Sequence, residues 1–184
     1  MSAELLDAVN DGKLDGVISI FKKHVSDFAC SAIEQAAEDG NLDIVIWLHE
    51  HGAIDCGEAM NKAAGNGHLN VVQWMHVNKN KGCTSNGAFM AAKNGHLETF
   101  KWMHENRHEE VSVLSVYAAA SNGHINVVEW CVNNELFDGI DVTDLVNYTA
   151  ANGHLDALIW ILKNVDVSCP QHAFIEAIRN NHVK

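Results

Sequence analysis

Ala63-Ala64-Gly65-Asn66-Gly67-His68-Leu69-Asn70-Val71-Val72-Gln73-Trp74-Met75 is the stretch on which the fold turns. It reads as the end of one helix, a tight turn at Asn66-Gly67, and the start of a second helix. The stretch recurs as Ala91-Ala92-Lys93-Asn94-Gly95-His96-Leu97 and as Ala119-Ala120-Ser121-Asn122-Gly123-His124-Ile125. Weaker copies are Ala36-Ala37-Glu38-Asp39-Gly40-Asn41-Leu42 and Ala150-Ala151-Asn152-Gly153-His154-Leu155, and degenerate ones surround Gly12 and Asn181. Taking the turn residue as marker gives positions 12, 40, 67, 95, 123, 153 and 181, hence spacings of 28, 27, 28, 28, 30 and 28. A fixed period in this range means stacked supersecondary units, each burying its apolar side on its neighbours. The units fall at about 3–26, 27–54, 55–81, 82–109, 110–139 and 140–167, with a partial one at 168–184.

The pattern helix, Ala-Ala-x-x-Gly-His, helix with Leu-x-x-Val-Val resembles the ankyrin repeat over nearly the whole chain. Two features depart from it. The family period is about 33 residues, so these units are short, and the shortfall lies between repeats, as in Gly52-Ala53-Ile54-Asp55-Cys56-Gly57. That is where the family's β-hairpin finger sits. The Thr-Pro-Leu-His helix start is also missing, and Pro170 is the sole proline. The resemblance therefore implies an all-α solenoid of six helix pairs plus a terminal helix, without fingers, similar to the repeat expansions of protists and giant viruses. As one elongated array it counts as a single domain, residues 1–184.

Composition agrees with a packed repeat. Hydrophobic residues make up 47% and charged ones 20%, enough for a continuous core. A formal charge of −12 repels polyphosphate, so no nucleic-acid partner is expected. No apolar run approaches the roughly 18 residues of a membrane span, and the start Met1-Ser2-Ala3-Glu4 does not read as a signal peptide. The five cysteines come one per unit: Cys30, Cys56, Cys83 and Cys169 in inter-repeat loops, and Cys131 at a core position. Stacked helices lie about 8–10 Å apart, beyond the roughly 7 Å that a disulfide tolerates between Cα atoms. Unpaired thiols and a reducing, cytoplasmic setting are expected, or a host cytosol if the protein is an effector. The chain is expected to be monomeric.

Apolar and small residues at i, i+1, i+4 and i+5, such as Ala59, Met60, Ala63 and Ala64, define the buried stripe of each first helix. Leu69, Val72, Trp74 and Met75 are expected on the apolar side of the second. Gly12 and its neighbours form an N-terminal cap unit, with Lys13 and Ser19 in slots that are His and Trp later, and Gly16 thinning the packing of its second helix. The chain stops at Asn181-His182-Val183-Lys184, where another second helix is due. The apolar Ala173, Phe174, Ile175, Ala177 and Ile178 favour a fragment of a longer array over a cap.

The turn glycines Gly40, Gly67, Gly95, Gly123 and Gly153, and the histidines His68, His96, His124 and His154 that follow the last four of them, are read as structural. The alternative, a metal site, needs histidines that converge, and one per repeat lies too far from the next to share an ion. Trp47, Trp74, Trp102, Trp130 and Trp160 occupy one slot seven residues after each turn glycine. They form either a stacking surface for a ligand or, as the family leucine at that slot implies, a packed or half-buried ladder. No nucleophile–base spacing recurs, and no phosphate loop, cofactor or catalytic residue is assigned.

What varies is the outward side of the first helices, which the resemblance implies is a concave binding face. Its slots carry Glu34, Gln35 and Glu38; Asn61, Lys62 and Gly65; Phe89, Met90 and Lys93; Tyr117, Ala118 and Ser121; and Asn147, Tyr148 and Ala151. Aromatic residues and Met at exposed positions are the usual interface anchors. Phe89 and Tyr117 could equally cover the groove between repeats. The expected function is a non-catalytic scaffold or adaptor for a protein partner. The alternatives are a microbial or viral ankyrin effector acting on a host protein and, from another class, a metal-binding or enzymatic role. The loop at Leu136-Phe137-Asp138-Gly139, where the spacing lengthens, is a second place for a contact.

Overall fold

The computed structural model describes residues 3–21, 29–53, 58–78, 86–107, 112–136 and 138–165. The expected terminal helix, Phe137, and Cys56, Cys83 and Cys169 lie outside them. The described residues form twelve α-helices and no strand. They pair as α1 (Ala3–Asn10) with α2 (Leu14–Phe21), α3 (Ala29–Glu38) with α4 (Leu42–Glu50), and α5 (Ala59–Gly65) with α6 (Leu69–Val77). Next come α7 (Asn86–Lys93) and α8 (Leu97–Arg107), α9 (Val113–Ser121) and α10 (Ile125–Asn133), then α11 (Val142–Ala151) and α12 (Leu155–Asn164). Cys30 belongs to the first turn of α3, not to a loop, because that helix begins one residue before it.

The chain divides into two compact units, Met1–Met90 and Ala91–Lys184. In the first, α1, α3 and α5 pack in sequence as one row, and α2, α4 and α6 as a second row. In the second, α9 packs on α11, and each holds its own partner, α10 or α12. The rows form because the facing side chains are small. Ala32, Ala36, Ala37, Ala59, Ala63 and Ala64 are sealed in the first unit, as are Ala119, Ala120 and Ala150 in the second. Among second helices the buried stripe is Ile44, Val45 and Leu48 in α4; Val71, Val72 and Met75 in α6; and Val127, Val128 and Cys131 in α10. Val71 joins the stripe expected of Val72 and Met75, while Leu69 and Trp74 are half-buried. The α1–α2 pair is close rather than thinly packed. A Cβ on Gly16 would meet that of Ala8 at 3.3 Å, and Val17 beside it is fully buried.

Each turn runs through a glycine in the left-handed region, with φ from +65° at Gly12 to +78° at Gly67, Gly95 and Gly153. The amide of the residue just before the second helix is paired back to the first helix, as His68 N–H to the Ala63 carbonyl at 2.9 Å. Glycine just beyond a helix end tolerates this conformation where a β-carbon would not.

Candidate functional site

In the first unit the outward slots are engaged with one another. Lys62 of α5 reaches back to α3, its Nζ 3.3 Å from Glu34 Oε2 and 3.3 Å from Glu38 Oε2. Burial pulls the ammonium pKa down, but the hydrogen bonds and charges of Glu38 and Glu34 outweigh it and hold the pKa above its ordinary value. Gln35 donates to Asp39 Oδ1 at 3.1 Å. Phe89 and Met90 are half-buried. Asn61 and Gly65, read from the sequence as outward, are buried, with Asn61 Nδ2 donating to Glu58 Oε2 at 3.3 Å. The alanine stripe draws neighbouring first helices so close that these positions are covered.

In the second unit Lys93 is exposed and Ser121 half-buried. Tyr117 is half-buried and tied to the next repeat. The Asp141 N–H donates to its hydroxyl at 2.8 Å, and the hydroxyl lies 3.3 Å from the Asp141 carbonyl as donor. Asp141 is the N-cap of α11, its carboxylate accepting from the amides of Thr143 and Asp144. Burial pushes the Tyr117 phenol up, against the Asp141 backbone bond and together with the charges of Asp144 and Asp141. Tyr148, 50% exposed, meets Tyr117 edge-on, with ring centroids 5.7 Å apart and planes at 61°.

The turn histidines form a separate ladder. His68 Nε2 donates to the carbonyl of Glu38, one repeat earlier, at 3.0 Å, and Asn66 Nδ2 donates to the same oxygen at 3.2 Å. The His124 ring is likewise bonded to the backbone of Lys93. Each ring lies over the preceding turn glycine: His68 on Gly40, His124 on Gly95 and His154 on Gly123. Where the slot holds Asn41, its shorter side chain still donates to the Val9 carbonyl at 3.3 Å. None of His68, His124 or His154 caps its own helix by its side chain. Burial, then the nearby His154 and His96, lowers the His124 pKa, with the Lys93 carbonyl working the other way.

All five tryptophans are half-buried. His49 meets Trp74 of the next repeat edge-on at 5.2 Å, and Phe100 and His104 meet Trp130 at 5.6 and 5.7 Å. A further recurrent device went unread in the sequence. Four residues after each tryptophan a side chain donates back to its carbonyl: His51 to Trp47, Asn78 to Trp74, Asn106 to Trp102, Asn134 to Trp130 and Asn164 to Trp160, at 2.7 to 3.0 Å. The signal was present as a histidine or asparagine at a constant offset. Such bonds satisfy carbonyls left over at a helix C-terminus.

Among the described residues no three His, Cys, Asp or Glu side chains group as a metal site would require. None of the described helices is long and apolar enough to cross a membrane. These features define a class, the helix–turn–helix repeat protein whose units interlock through main-chain carbonyls. Residues 33–76 match the family model of ankyrin repeats in many copies, and residues 60–144 the model of ankyrin repeats in three copies. The chain belongs to the ankyrin-repeat family. A search of curated proteins returned no match. Ankyrin repeats are in general protein–protein interaction modules, and the family is typically non-catalytic.

Proposed function

We propose that the protein is a non-catalytic scaffold that engages a partner protein through the outward faces of its first helices. In the first unit that face offers Glu34, Gln35, Glu38, Lys62, Phe89 and Met90; in the second it offers Lys93, Tyr117, Ser121 and Tyr148. The observation that carries the reading is Tyr148, a large ring 50% exposed on a first helix of a family whose repeats bind proteins. An exposed aromatic beside a fixed one is what an interface anchor needs, since little side-chain freedom remains to be lost on binding. The free, buried thiol of Cys131 and the odd cysteine number favour a reducing compartment such as the cytosol.

The test is affinity capture with mass spectrometry, comparing wild type with Tyr148→Ala plus Lys93→Glu and with a control, Leu162→Ser on α12. A partner retained by wild type and control but lost by the outward-face variant supports the reading, provided the three proteins unfold at similar temperatures. A partner lost only by the α12 variant places the site on the second helices instead.

A further inference from the structure

We propose that the ledge formed by Tyr148 and Asp144 of α11, backed by Tyr117 of α9, receives an arginine side chain of the partner. This rests on the reading of the outward face as the binding surface and adds to it the chemistry of the contact.

The two units use the same pair of slots in opposite ways. Glu34 stands six residues before its turn glycine and Lys62 five before the next, and they form an ion pair at 3.3 Å. Tyr117 and Tyr148 stand six and five residues before Gly123 and Gly153, and they form the edge-on aromatic pair. In the first unit the chain supplies its own cation to the carboxylates of that face. In the second it does not: among the described residues neither Asp141 nor Asp144 forms an ion pair.

Asp144 and Tyr148 are four residues apart on α11, so they are neighbours on one helix face. Both are exposed. The Asp144 carboxylate is close enough to act on the Tyr117 phenol. Asp141 is partly spent on the N-cap amides, which leaves Asp144 as the open anion. The two hydrogen bonds to Asp141 hold Tyr117, and its ring edge in turn limits Tyr148. The result is an exposed aromatic face next to an uncompensated carboxylate. The complement is a planar cation that stacks on the ring while its N–H fork meets the carboxylate. Arginine does both, whereas lysine is a compact and strongly hydrated point charge.

The experiment follows the aromatic carbon–proton signals of Tyr117 and Tyr148 in the full chain during titration with acetyl-Gly-Arg-Gly-amide. The lysine peptide and the uncharged citrulline peptide are titrated in parallel. Arginine is expected to give a saturable shift of both rings, with the citrulline response about tenfold weaker and lysine between them. Asp144→Asn should weaken the arginine response severalfold, Tyr148→Ala should abolish it at Tyr117, and Tyr148→Phe should keep it. Equal responses to arginine and citrulline, or an arginine response unchanged in Asp144→Asn, overturn the inference. So does the absence of a saturable shift in wild type. Because the peptides need no partner, the two readings fail separately. A captured partner whose affinity survives Tyr148→Ala removes the arginine site and leaves the scaffold standing. An intact arginine response with capture independent of the outward face removes that face as the partner's site, and with it the partner's arginine, while the ledge's affinity for arginine stands.

Discussion

The imidazole of His68 lies directly on Gly40, so that a β-carbon at Gly40 would fall 2.5 Å from its Nδ1. Two demands therefore coincide at one residue, a φ of +75° and room for the next repeat's ring. Gly52 has only the first, with φ +87° and nothing within 4 Å of a β-carbon.

Gly40→Ala and Gly52→Ala separate these demands. The left-handed conformation costs a non-glycine residue about 1–2 kcal/mol, and that is the expected loss at Gly52. At Gly40 the displaced ring adds roughly 1–3 kcal/mol of overpacking. Chemical denaturation should show the larger loss at Gly40, and His68→Ala should recover part of it only there. Equal losses at the two glycines would mean that the ring moves aside without cost.

Acid should loosen the second unit through His124. Its folded-state pKa is lowered, chiefly by burial and then by His154 and His96, so the unfolded chain binds the proton more readily. The stabilisation tied to the neutral ring is complete above the unfolded value of about 6.5 and is lost as pH falls through the lower folded value. The hydrogen bond to the Lys93 backbone survives protonation, because the ring is its donor. Thermal unfolding between pH 7.5 and 5 should therefore fall less steeply in His124→Asn than in wild type. A steeper fall in the variant would contradict the sign.

Tyr117 and Tyr148 should part company in stability. Tyr117→Phe removes the hydroxyl that bridges to Asp141 and should cost about 0.5–1.5 kcal/mol, the net value of a typical hydrogen bond. Tyr148→Phe should stay within about 0.5 kcal/mol, as exposed substitutions do. Urea unfolding of the two variants checks this, and an equal loss in both would place the Tyr148 hydroxyl in a structural role as well.

Trp130 tests whether the ladder is packed. Truncating a fully buried aromatic to alanine costs about 3–5 kcal/mol. A half-buried ring with Phe100 and His104 against it should fall near or just below the lower end of that range, about 2–3 kcal/mol. Iodide should quench the tryptophan emission only in part. Quenching as complete as that of the free amino acid would show the rings displayed to solvent.

The helices and turns were legible because their causes are local. Asn or Asp before glycine, alanine pairs four residues apart and a constant period each act within one repeat. The outward face was legible only in outline, since its exposure depends on how near the next repeat comes. Asn61 and Gly65 look as open in the sequence as Tyr148, yet both are buried. That Lys62 is held by Glu34 and Glu38, and Tyr117 by Asp141, depends on residues 24 to 28 positions away. The asparagines that bond back to tryptophan carbonyls could have been read, for they share the tryptophan period.

The joints at His68, His124 and Asn41 have one property in common: in each, the acceptor is main chain, belonging to Glu38, Lys93 or Val9. Beyond the turn glycine that leaves room for the ring, a joint of that kind is blind to which side chains its neighbour carries. Whole units can then be duplicated, dropped or exchanged by recombination without a matching change next door. The surface can diversify under selection while the seams between units stay interchangeable.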